Sequence, residues 1–462
     1  MKKPILPKGT RDFNSSELYK RNYIIDVIKD TFSKFGFNPI ETPSFERAET
    51  LLGKYGSEGE RLIFKILKSG NFLKDADTTD FNNKNLTNLS RKIIDKALRY
   101  DLTVPFARYV VQNQNDISIP FKRYQIQNVW RADRPQKGRF REFLQCDADV
   151  IGSNSLMQEI DFICLFEKVF TDLNLSGCRI KINNRKLLVA ICEIYNCQDK
   201  FLSLINQLDK MDKVDRIDIR KNLLNDNFET NVIDSIFNII DLSVDFNKNK
   251  DALSEIFSSS KNGSEGLSEI EFIFSYFSEN KLTNSKLDFD IGLARGIDYY
   301  TGVIFEVLPP GNILIGSIAG GGRYDNLTEI FGLKNMSGIG ISFGLDRIYL
   351  VLQEMDLLPN YLDNSTQAIF LNFSKDFSFD LINFSNLLRS NNINCEFFPD
   401  PISVKRQLNY ANKNNIPYVI FYGDEEKESG SLKIKDMKTG IQQILTPEKL
   451  IKKLKNSSEN EI

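Results

Sequence analysis

Polar and apolar side chains alternate most clearly in the stretch Phe140-Arg141-Glu142-Phe143-Leu144-Gln145-Cys146-Asp147-Ala148-Asp149-Val150. Successive side chains of a β-strand point to opposite faces, so the even positions from Leu144 to Val150 would form an apolar face. The odd positions place mainly arginine, glutamine and aspartate on the other face. This pattern predicts a strand that packs on one side and presents a row of polar groups on the other.

The stretch before it alternates in the same way and predicts a neighbouring strand. Tyr124, Ile126 and Trp130 fall on one side, and the other side carries Arg123, Gln125, Gln127, Arg131 and Asp133. A turn at residues 135–138 would make the two strands antiparallel. Arginines and carboxylates on a shared face can hold an anion and an ammonium group together. The same alternation is also typical of a solvent-facing sheet with cross-strand ion pairs, so these strands alone leave both interpretations open.

Patterns along the rest of the chain indicate both helices and strands. An apolar spacing near 3.6 predicts a helix over residues 15–35, and residues 186–280 are mostly helical in pattern. Residues 69–90 form a polar connection that we expect to be a surface loop. Strands are predicted at the segments 288–307, 313–319 and 338–343, and a helix follows from Leu345.

The 462 residues are too many for one ordinary core, so we expect several domains. Beyond a linker at 363–366, short strands and helices alternate, which is typical of a small α/β domain. We predict an α+β protein with a main domain in two parts, a helical insertion domain and a C-terminal domain, at residues 1–185 and 281–360, 186–280, and 366–462.

Composition excludes several kinds of chemistry. The chain has no histidine, which rules out Ser-His-Asp and Cys-His catalysis and histidine-ligated metals. Its six cysteines lack CxxC spacing, so we expect free thiols rather than a zinc site or a disulfide framework. No apolar run approaches the roughly 20 residues that span a bilayer, so we expect a cytoplasmic protein without a membrane partner. Any catalysis must therefore use carboxylates, arginines, backbone groups and bound ions.

Three further segments combine glycine with arginine or tyrosine. Residues 292–302 place Arg295, Tyr299 and Tyr300 among three glycines, which would suit a planar pocket with a polar rim. Taken alone, this segment favours a β-turn with core tyrosines. Residues 320–325 are interpreted as a glycine-rich turn that ends at Tyr324 and Asp325. Arg347 lies in the first turn of the predicted helix at 345, where a guanidinium can stack on a base or contact phosphate.

Five motifs follow one another along the chain: Pro7-Lys8-Gly9-Thr10-Arg11-Asp12, Leu98-Arg99-Tyr100-Asp101-Leu102-Thr103-Val104-Pro105, Trp130-Arg131-Ala132-Asp133-Arg134-Pro135-Gln136-Lys137-Gly138-Arg139-Phe140, Ala294-Arg295-Gly296-Ile297-Asp298-Tyr299-Tyr300-Thr301-Gly302 and Gly344-Leu345-Asp346-Arg347. In this order they resemble the signatures of one family, the histidyl-tRNA synthetases. The resemblance covers nearly the whole chain, and its most specific motif is Gly296-Ile297-Asp298-Tyr299-Tyr300-Thr301-Gly302, which is similar to the family's histidine-pocket signature. Chance agreement of five motifs in order is far less probable than agreement of any one.

The resemblance implies a class II synthetase sheet, antiparallel and flanked by helices, that activates histidine with ATP and Mg²⁺ and transfers it to histidine tRNA. The resemblance assigns catalysis to Arg131 and Arg295. Arg131 would contact the α-phosphate of ATP, and Arg295 would bridge the α-phosphate and the amino-acid carboxylate. ATP would be bound by Arg131, Asp133, Arg139, Phe143 and Arg347. Histidine would be bound by Asp101, Thr103, Gln145, Asp149, Tyr299, Tyr300 and Tyr324.

The resemblance also implies partners beyond the small substrates. The loop containing Arg134, Gln136 and Lys137 would contact the acceptor end of the tRNA, and residues 366–462 would form an anticodon-binding domain. The chain would form a homodimer through the first class II motif near Pro43. No metal ligands from histidine or cysteine are expected, so Mg²⁺ would be bound through ATP.

Two other functions are compatible with parts of this pattern. A catalytically silent relative could regulate histidine biosynthesis, but such relatives usually lack the C-terminal domain and the pocket arginines, and this chain has Arg131, Arg295 and Arg347. A class II synthetase for another amino acid is disfavoured by the tyrosine-rich segment at 299–300.

Overall fold

The computed structural model describes residues 3–53, 59, 61–76, 86–211, 214–244, 246–294, 299–311, 313–359 and 366–459. The chain forms two compact units. The first consists of Met1–Arg11 and Ile24–Leu357, and the second of Asp12–Tyr23 and Leu358–Ile462. Among the helices so described, none is long and apolar enough to cross a membrane.

An eight-stranded sheet forms the centre of the first unit, with the strand order β1-β5-β6-β11-β10-β9-β7-β8. Its inner strands pair antiparallel, and one parallel pair lies at each edge, β1 with β5 and β7 with β8. The strands are β1 (Asn38–Pro39), β5 (Phe121–Trp130), β6 (Glu142–Ile151), β7 (Cys178–Asn184), β8 (Ser285–Phe289), β9 (Val303–Leu308), β10 (Ala319–Tyr324) and β11 (Gly338–Gly344). The predicted α+β class with a largely antiparallel sheet is confirmed.

One face of this sheet packs against helices through aromatic side chains. Phe343 on β11 lies 5.4 Å, ring to ring, from Phe166 on the helix Met157–Asp172, and 6.0 Å from Phe32 on the helix Ser15–Lys34. All three rings are fully buried, and burial of such large apolar side chains dominates the stability of a core. The opposite face of β5, β6, β10 and β11 is therefore left to the polar side chains predicted from the alternation.

Helix α1 (Ser15–Lys34) belongs to the first unit from Ile24 onward. The other helices of this unit are α2 (Ala48–Leu51), α3 (Leu86–Ile93), α4 (Thr103–Gln112), α5 (Met157–Asp172), α6 (Arg185–Ile194), α7 (Phe201–Leu208), α8 (Arg216–Asn225), α9 (Thr230–Ser243), α10 (Phe246–Phe257), α11 (Lys261–Glu279) and α12 (Leu345–Glu354). A second, three-stranded sheet contains β2 (Phe45–Arg47), β3 (Lys65–Leu67) and β4 (Ile94–Leu98) in the order β2-β4-β3. The predicted C-terminal boundary of the loop at 69–90 was wrong, because helix α3 already begins at Leu86. Residues 77–85 of that loop lie outside the described part of the chain.

The glycine-rich segment near residue 320 is a strand, and its prediction as a turn was wrong. β10 runs through Gly320, Gly321 and Gly322 and pairs with β9 and β11. A Cβ atom at Gly321 would lie 2.0 Å from the carbonyl oxygen of Gly340, so only glycine fits between these backbones. The strand predicted at 313–319 was also misplaced, since the structure begins the strand at Ala319.

The second unit contains a five-stranded sheet in the order β13-β12-β14-β15-β16. Leu381, Leu388 and Leu450 pack on it from the helices and are at most 2% exposed. The strands are β12 (Ala368–Phe370), β13 (Cys395–Phe397), β14 (Tyr418–Phe421), β15 (Leu432–Asp436) and β16 (Gln442–Leu445), and the helices are α13 (Ser378–Arg389), α14 (Val404–Lys413), α15 (Asp424–Ser429) and α16 (Pro447–Glu459). This unit has the predicted α/β character.

Candidate active site

A cleft with about 1110 Å³ of empty volume opens on the polar face of the large sheet. Its floor is built from β6, β10 and β11, and its walls come from the loop before β6, the start of α4 and the start of α12. Twelve of the predicted site residues line it: Asp101, Thr103, Arg131, Asp133, Arg139, Phe143, Gln145, Asp149, Tyr299, Tyr300, Tyr324 and Arg347. Segments that are far apart in the sequence thus meet in one cavity.

The guanidinium of Arg131 is held in a fixed orientation at one end of the cleft. Its carbon Cζ lies 4.3 Å from the ring centre of Tyr100 and 5.4 Å from that of Phe143. Its Nε donates a hydrogen bond of 2.9 Å to the carbonyl oxygen of Tyr100. Within the part of the chain that the structure describes, its two Nη atoms have no hydrogen-bond partner, so they can donate to an anion such as a phosphate.

Two further arginines stand at the same end. Arg139 forms an ion pair of 3.0 Å with Asp133 across the turn, and about half of the Arg139 side chain is exposed. Arg347 donates to the carbonyl oxygens of Ser317 (2.6 Å) and Gly138 (3.2 Å), which fixes its side chain along the cleft wall. Three guanidinium groups therefore make this end of the cleft electropositive, which suits a polyphosphate.

The other end of the cleft is formed by buried carboxyl and phenol groups. Asp149 is 2% exposed, and its Oδ2 lies 2.8 Å from the fully buried guanidinium of Arg123. The hydroxyl of Tyr324 donates a hydrogen bond of 2.6 Å to the Oδ1 of Asp149. Burial raises the pKa of the Asp149 carboxyl, while Arg123 and Tyr324 oppose the rise by stabilising the carboxylate.

Tyrosine rings close this end of the cleft on one side. The ring centre of Tyr299 lies 4.9 Å from that of Tyr300 and 6.0 Å from that of Tyr324, both edge to face. Burial raises the pKa of Tyr299 and of Tyr324 well above the ordinary value of 10, so both phenols stay neutral near pH 7. Neutral hydroxyls on flat rings can donate to or accept from a small aromatic ring such as imidazole.

Asp101 and Thr103 reach the cleft from the start of α4. The Oδ1 of Asp101 accepts a hydrogen bond of 3.1 Å from the backbone N–H of Val104, which anchors the carboxylate at the helix N-terminus. Gln145 lies on the β6 floor, and its Nε2 donates to the hydroxyl of Ser342 at 3.2 Å. The polar groups of this end therefore come from the helix start and from the sheet floor together.

Gly340 on β11 is required by the position of Asp149. A Cβ atom there would lie 1.9 Å from the Oδ1 of Asp149, which Arg123 and Tyr324 hold in place. Replacing Gly340 with alanine should therefore displace the carboxylate and lower the free energy of unfolding by roughly 1–3 kcal/mol. Urea unfolding measures this, and Gly344→Ala is the matched control, because its nearest neighbouring atom lies 3.4 Å from the added Cβ. Equal losses in the two variants would contradict the assignment.

Three of the described site residues that were predicted do not line the cleft. Arg134, Gln136 and Lys137 are exposed on the turn between β5 and β6, and Lys137 forms an ion pair with Glu354. Arg295, one of the two predicted catalytic arginines, lies outside the described residues. Its predicted role therefore stays a prediction.

Three residues of this region had no predicted role. Asp147 lines the cleft and is 2% exposed, and Arg123 on the neighbouring strand β5 is fully buried as the ion-pair partner of Asp149. Both were placed on the polar strand faces, but alternation alone does not distinguish a buried polar face from a solvated one. Arg11 forms an ion pair of 2.5 Å with Asp346 and stacks on Phe140 at 4.2 Å, which connects the N-terminal motif to the cleft wall.

Comparisons with known proteins agree with this geometry. The family model described as histidyl-tRNA synthetase matches residues 89–348, and the model described as anticodon binding domain matches residues 371–457. The histidine–tRNA ligase of Christiangramia forsetii is 51% identical over 95% of this chain and 96% of its own length. That of Flavobacterium johnsoniae is 49% identical, again over 95% of this chain and 96% of the relative.

A solved structure is similar in fold over nearly the whole length. The crystal structure of histidyl-tRNA synthetase from Nostoc sp. PCC 7120 superposes with a TM-score of 0.81 at 26% identity, covering 98% of this chain and 99% of that one. Fold and cleft thus define an aminoacyl-tRNA synthetase. The chain belongs to the histidyl-tRNA synthetase family, and the predicted family is confirmed.

Proposed function

We propose that this chain activates histidine with ATP to form histidyl-adenylate and then transfers histidine to the 3′ end of histidine tRNA. The observation that supports this most directly is the single cleft with arginines and Phe143 at one end and carboxylates and tyrosines at the other. Family membership and the names of relatives at about 50% identity point to the same reaction.

ATP would bind at the arginine end. The Nη atoms of Arg131 would donate to the α-phosphate, and Phe143 and Arg347 would lie on the two sides of the adenine. The Asp133–Arg139 pair would position the triphosphate. Mg²⁺ would be bound through the phosphates of ATP, where it would neutralise charge.

Histidine would bind at the carboxylate end. Asp101, Thr103 and Gln145 would surround its α-amino group, and the neutral phenols of Tyr299, Tyr300 and Tyr324, together with Asp149, would enclose its imidazole. We assign these roles because the two ends of the cleft differ in charge in the way that the two substrates do.

The chemistry requires no histidine in the protein. The substrate carboxylate is already ionised near pH 7 and attacks the α-phosphorus of ATP, the bond to pyrophosphate breaks, and no proton moves. Arg131 and Arg295 would stabilise the negative charge on the α-phosphoryl group during this step. In the second step the ribose hydroxyl at the tRNA 3′ end attacks the acyl carbon, AMP leaves, and a phosphate oxygen accepts the proton.

The tRNA and the second subunit are further proposals. The exposed residues Arg134, Gln136 and Lys137 would contact the acceptor end, and the domain at 366–462 would bind the anticodon. Residues 1–185 and 281–360 would form the catalytic domain and 186–280 the helical insertion. A homodimer through the segment near Pro43 and a cytoplasmic location follow from the family resemblance.

Histidine-dependent ATP–pyrophosphate exchange by the purified protein tests the function and separates its rivals. A silent regulatory relative would give no exchange, and a synthetase for another amino acid would give exchange only with that amino acid.

Arg295→Ala should abolish histidine-dependent exchange, because it removes the guanidinium proposed to bridge the amino-acid carboxylate and the α-phosphate. Circular dichroism and the unfolding midpoint provide the control that the fold is intact. Substantial residual exchange in a folded variant would remove Arg295 from the mechanism.

A further inference from the structure

Three carboxylates lie together at the histidine end of the cleft: Asp101, Asp147 and Asp149. Each is at most 4% exposed. The cations that line the described part of the cleft, Arg131, Arg139 and Arg347, belong to the other end. Buried carboxylates are costly unless a cation or hydrogen-bond donors compensate them, so this end is built to receive a positively charged group.

The two carboxylates on β6 are not equivalent. The Oδ1 of Asp149 accepts a hydrogen bond of 2.6 Å from the Tyr324 hydroxyl, and its Oδ2, which accepts no hydrogen bond among the described residues, lies 2.8 Å from the guanidinium of Arg123 in an ion pair. Asp147 has a hydrogen bond with Ser342, whereas its buried Oδ1 has no hydrogen-bond partner among the described residues. The difference is the counter-ion: the free oxygen of Asp149 has Arg123 beside it, whereas Asp147 Oδ1 has neither a hydrogen bond nor an ion pair within the described ranges.

A second acceptor without a donor lies beside Asp147. The Oε1 of Gln145 is buried and also has no partner within the described ranges. Gln145 and Asp147 are successive members of the same strand face, about 7 Å apart along β6. They are connected through Ser342, to which Gln145 Nε2 donates at 3.2 Å. Two unpaired acceptors on one face match an ammonium group, which has three N–H donors and no acceptor.

The charges around Asp147 agree with this requirement. The pKa of Asp147 is raised to about 7, mainly by burial and also by the carboxylates of Asp149 and Asp101, while Arg123 and the hydrogen bond with Ser342 oppose the rise. These groups face Asp147 from β5, from β6 itself and from the start of α4, with the neutral hydroxyl of Ser342 on β11. The raised pKa favours the protonated carboxyl, and a cation placed against it would displace that proton.

We propose that Asp147 binds the α-ammonium group of the amino acid, together with the Oε1 of Gln145. Asp149 would then bind the imidazole together with Tyr324. Asp147, two residues earlier on β6, would bind the ammonium group on the side of Gln145. This assignment rests on the proposed function and adds a binding residue to it. Binding of the amino acid releases a proton from Asp147, so affinity increases as the pH rises through 7.

Calorimetric titration of the full-length protein with L-histidine tests the proposal, using wild type and Asp147→Asn in two buffers with different heats of ionisation. The variant is expected to bind about ten- to a hundredfold more weakly, because it loses a charged acceptor for the ammonium group. At pH 7 it should also release fewer protons on binding than wild type does. Asp234→Asn on the exposed side of α9 is the matched control and should change neither quantity.

Ligand analogues distinguish the two ends of histidine. L-histidinol retains the ammonium group, and 3-(imidazol-4-yl)propionate lacks it. As inhibitors of exchange, histidinol should be weakened by Asp147→Asn and the propionate should not. Equal weakening of both ligands would overturn the assignment, since Asp147 would then act on the imidazole or on the fold.

Stability separates a binding role from a structural one. The folded pKa of Asp147, about 7, lies above its ordinary value of 3.8, so its contribution to stability is lost as the pH rises through 7. Asparagine has no charge to bury, so Asp147→Asn should unfold at the same temperature as wild type at pH 8, or at a higher one. If affinity and proton release were unchanged in Asp147→Asn, the role of Asp147 would be refuted and the proposed function would stand. If wild type bound no histidine, the proposed function would be refuted as well.

Discussion

Replacing Arg131 with alanine lowers kcat/KM for histidine-dependent ATP–pyrophosphate exchange by an expected factor of about 10³ to 10⁵. The guanidinium is stacked on Tyr100 at 4.3 Å and fixed by its hydrogen bond to the Tyr100 carbonyl, so it needs no reorganisation when charge develops on the α-phosphate. The factor corresponds to about 4–7 kcal/mol of transition-state stabilisation. Initial rates at varied ATP and histidine measure it.

Two variants control this experiment. Arg131→Lys keeps the charge but loses the planar fork and its stacking, and we expect it to recover only part of the activity. Arg179→Ala removes an exposed arginine that pairs with Asp288 at the far edge of the sheet, and it should leave exchange unchanged. If Arg131→Ala reduced exchange no more than Arg179→Ala does, the α-phosphate would have to be bound elsewhere.

Replacing Arg123 with methionine lowers the free energy of unfolding by an expected 3–5 kcal/mol, roughly the cost of leaving one partner of a buried ion pair alone. Arg123 is fully buried, lies 4.2 Å from the ring centre of Phe106 and is the cation opposite Asp149. Methionine occupies much of the space but leaves the Asp149 carboxylate without its counter-ion. Urea unfolding at pH 8 measures the loss.

The pH dependence of the same variant follows from the direction of the shift. Without Arg123 the already raised pKa of Asp149 rises further, so its protonated form is favoured in the folded state. The variant therefore loses stability as the pH rises above the ordinary pKa of an aspartate, because the unfolded chain ionises Asp149 more readily than the folded one. The difference in free energy of unfolding between wild type and Arg123→Met should accordingly become smaller toward acid pH. The double variant Arg123→Met with Asp149→Asn should recover part of the loss at pH 8. No recovery would show that packing against Phe106, rather than charge, is what Arg123 supplies.

Strand alternation predicted the floor of the cleft well. The period of two is imposed by the backbone, so Phe143, Gln145 and Asp149 fall on one face whatever surrounds them. The same rule placed Asp147 and Arg123 on the correct faces but gave no information on their burial. That burial depends on β11 and α4, which approach from elsewhere in the chain.

Glycine was harder to interpret. The run at 320–322 has the composition of a turn, and its strand conformation depends on close contact with β9 and β11, which no local pattern reveals. Similarly, the segment 313–319 has apolar residues suited to a strand, but the ladder with β11 begins at Ala319. The role of Arg295 rests on the motif alone, because it lies outside the described residues.

The phenol- and carboxyl-lined end of the cleft has a practical consequence for spectroscopy. Because the chain contains no histidine, an untagged preparation contributes no imidazole resonance of its own. Every imidazole carbon-bound proton signal in a complex with unlabelled substrate would arise from the bound molecule. Following its chemical shift against pH would report whether the enclosed ring is neutral or cationic, with no isotopic labelling of the ligand.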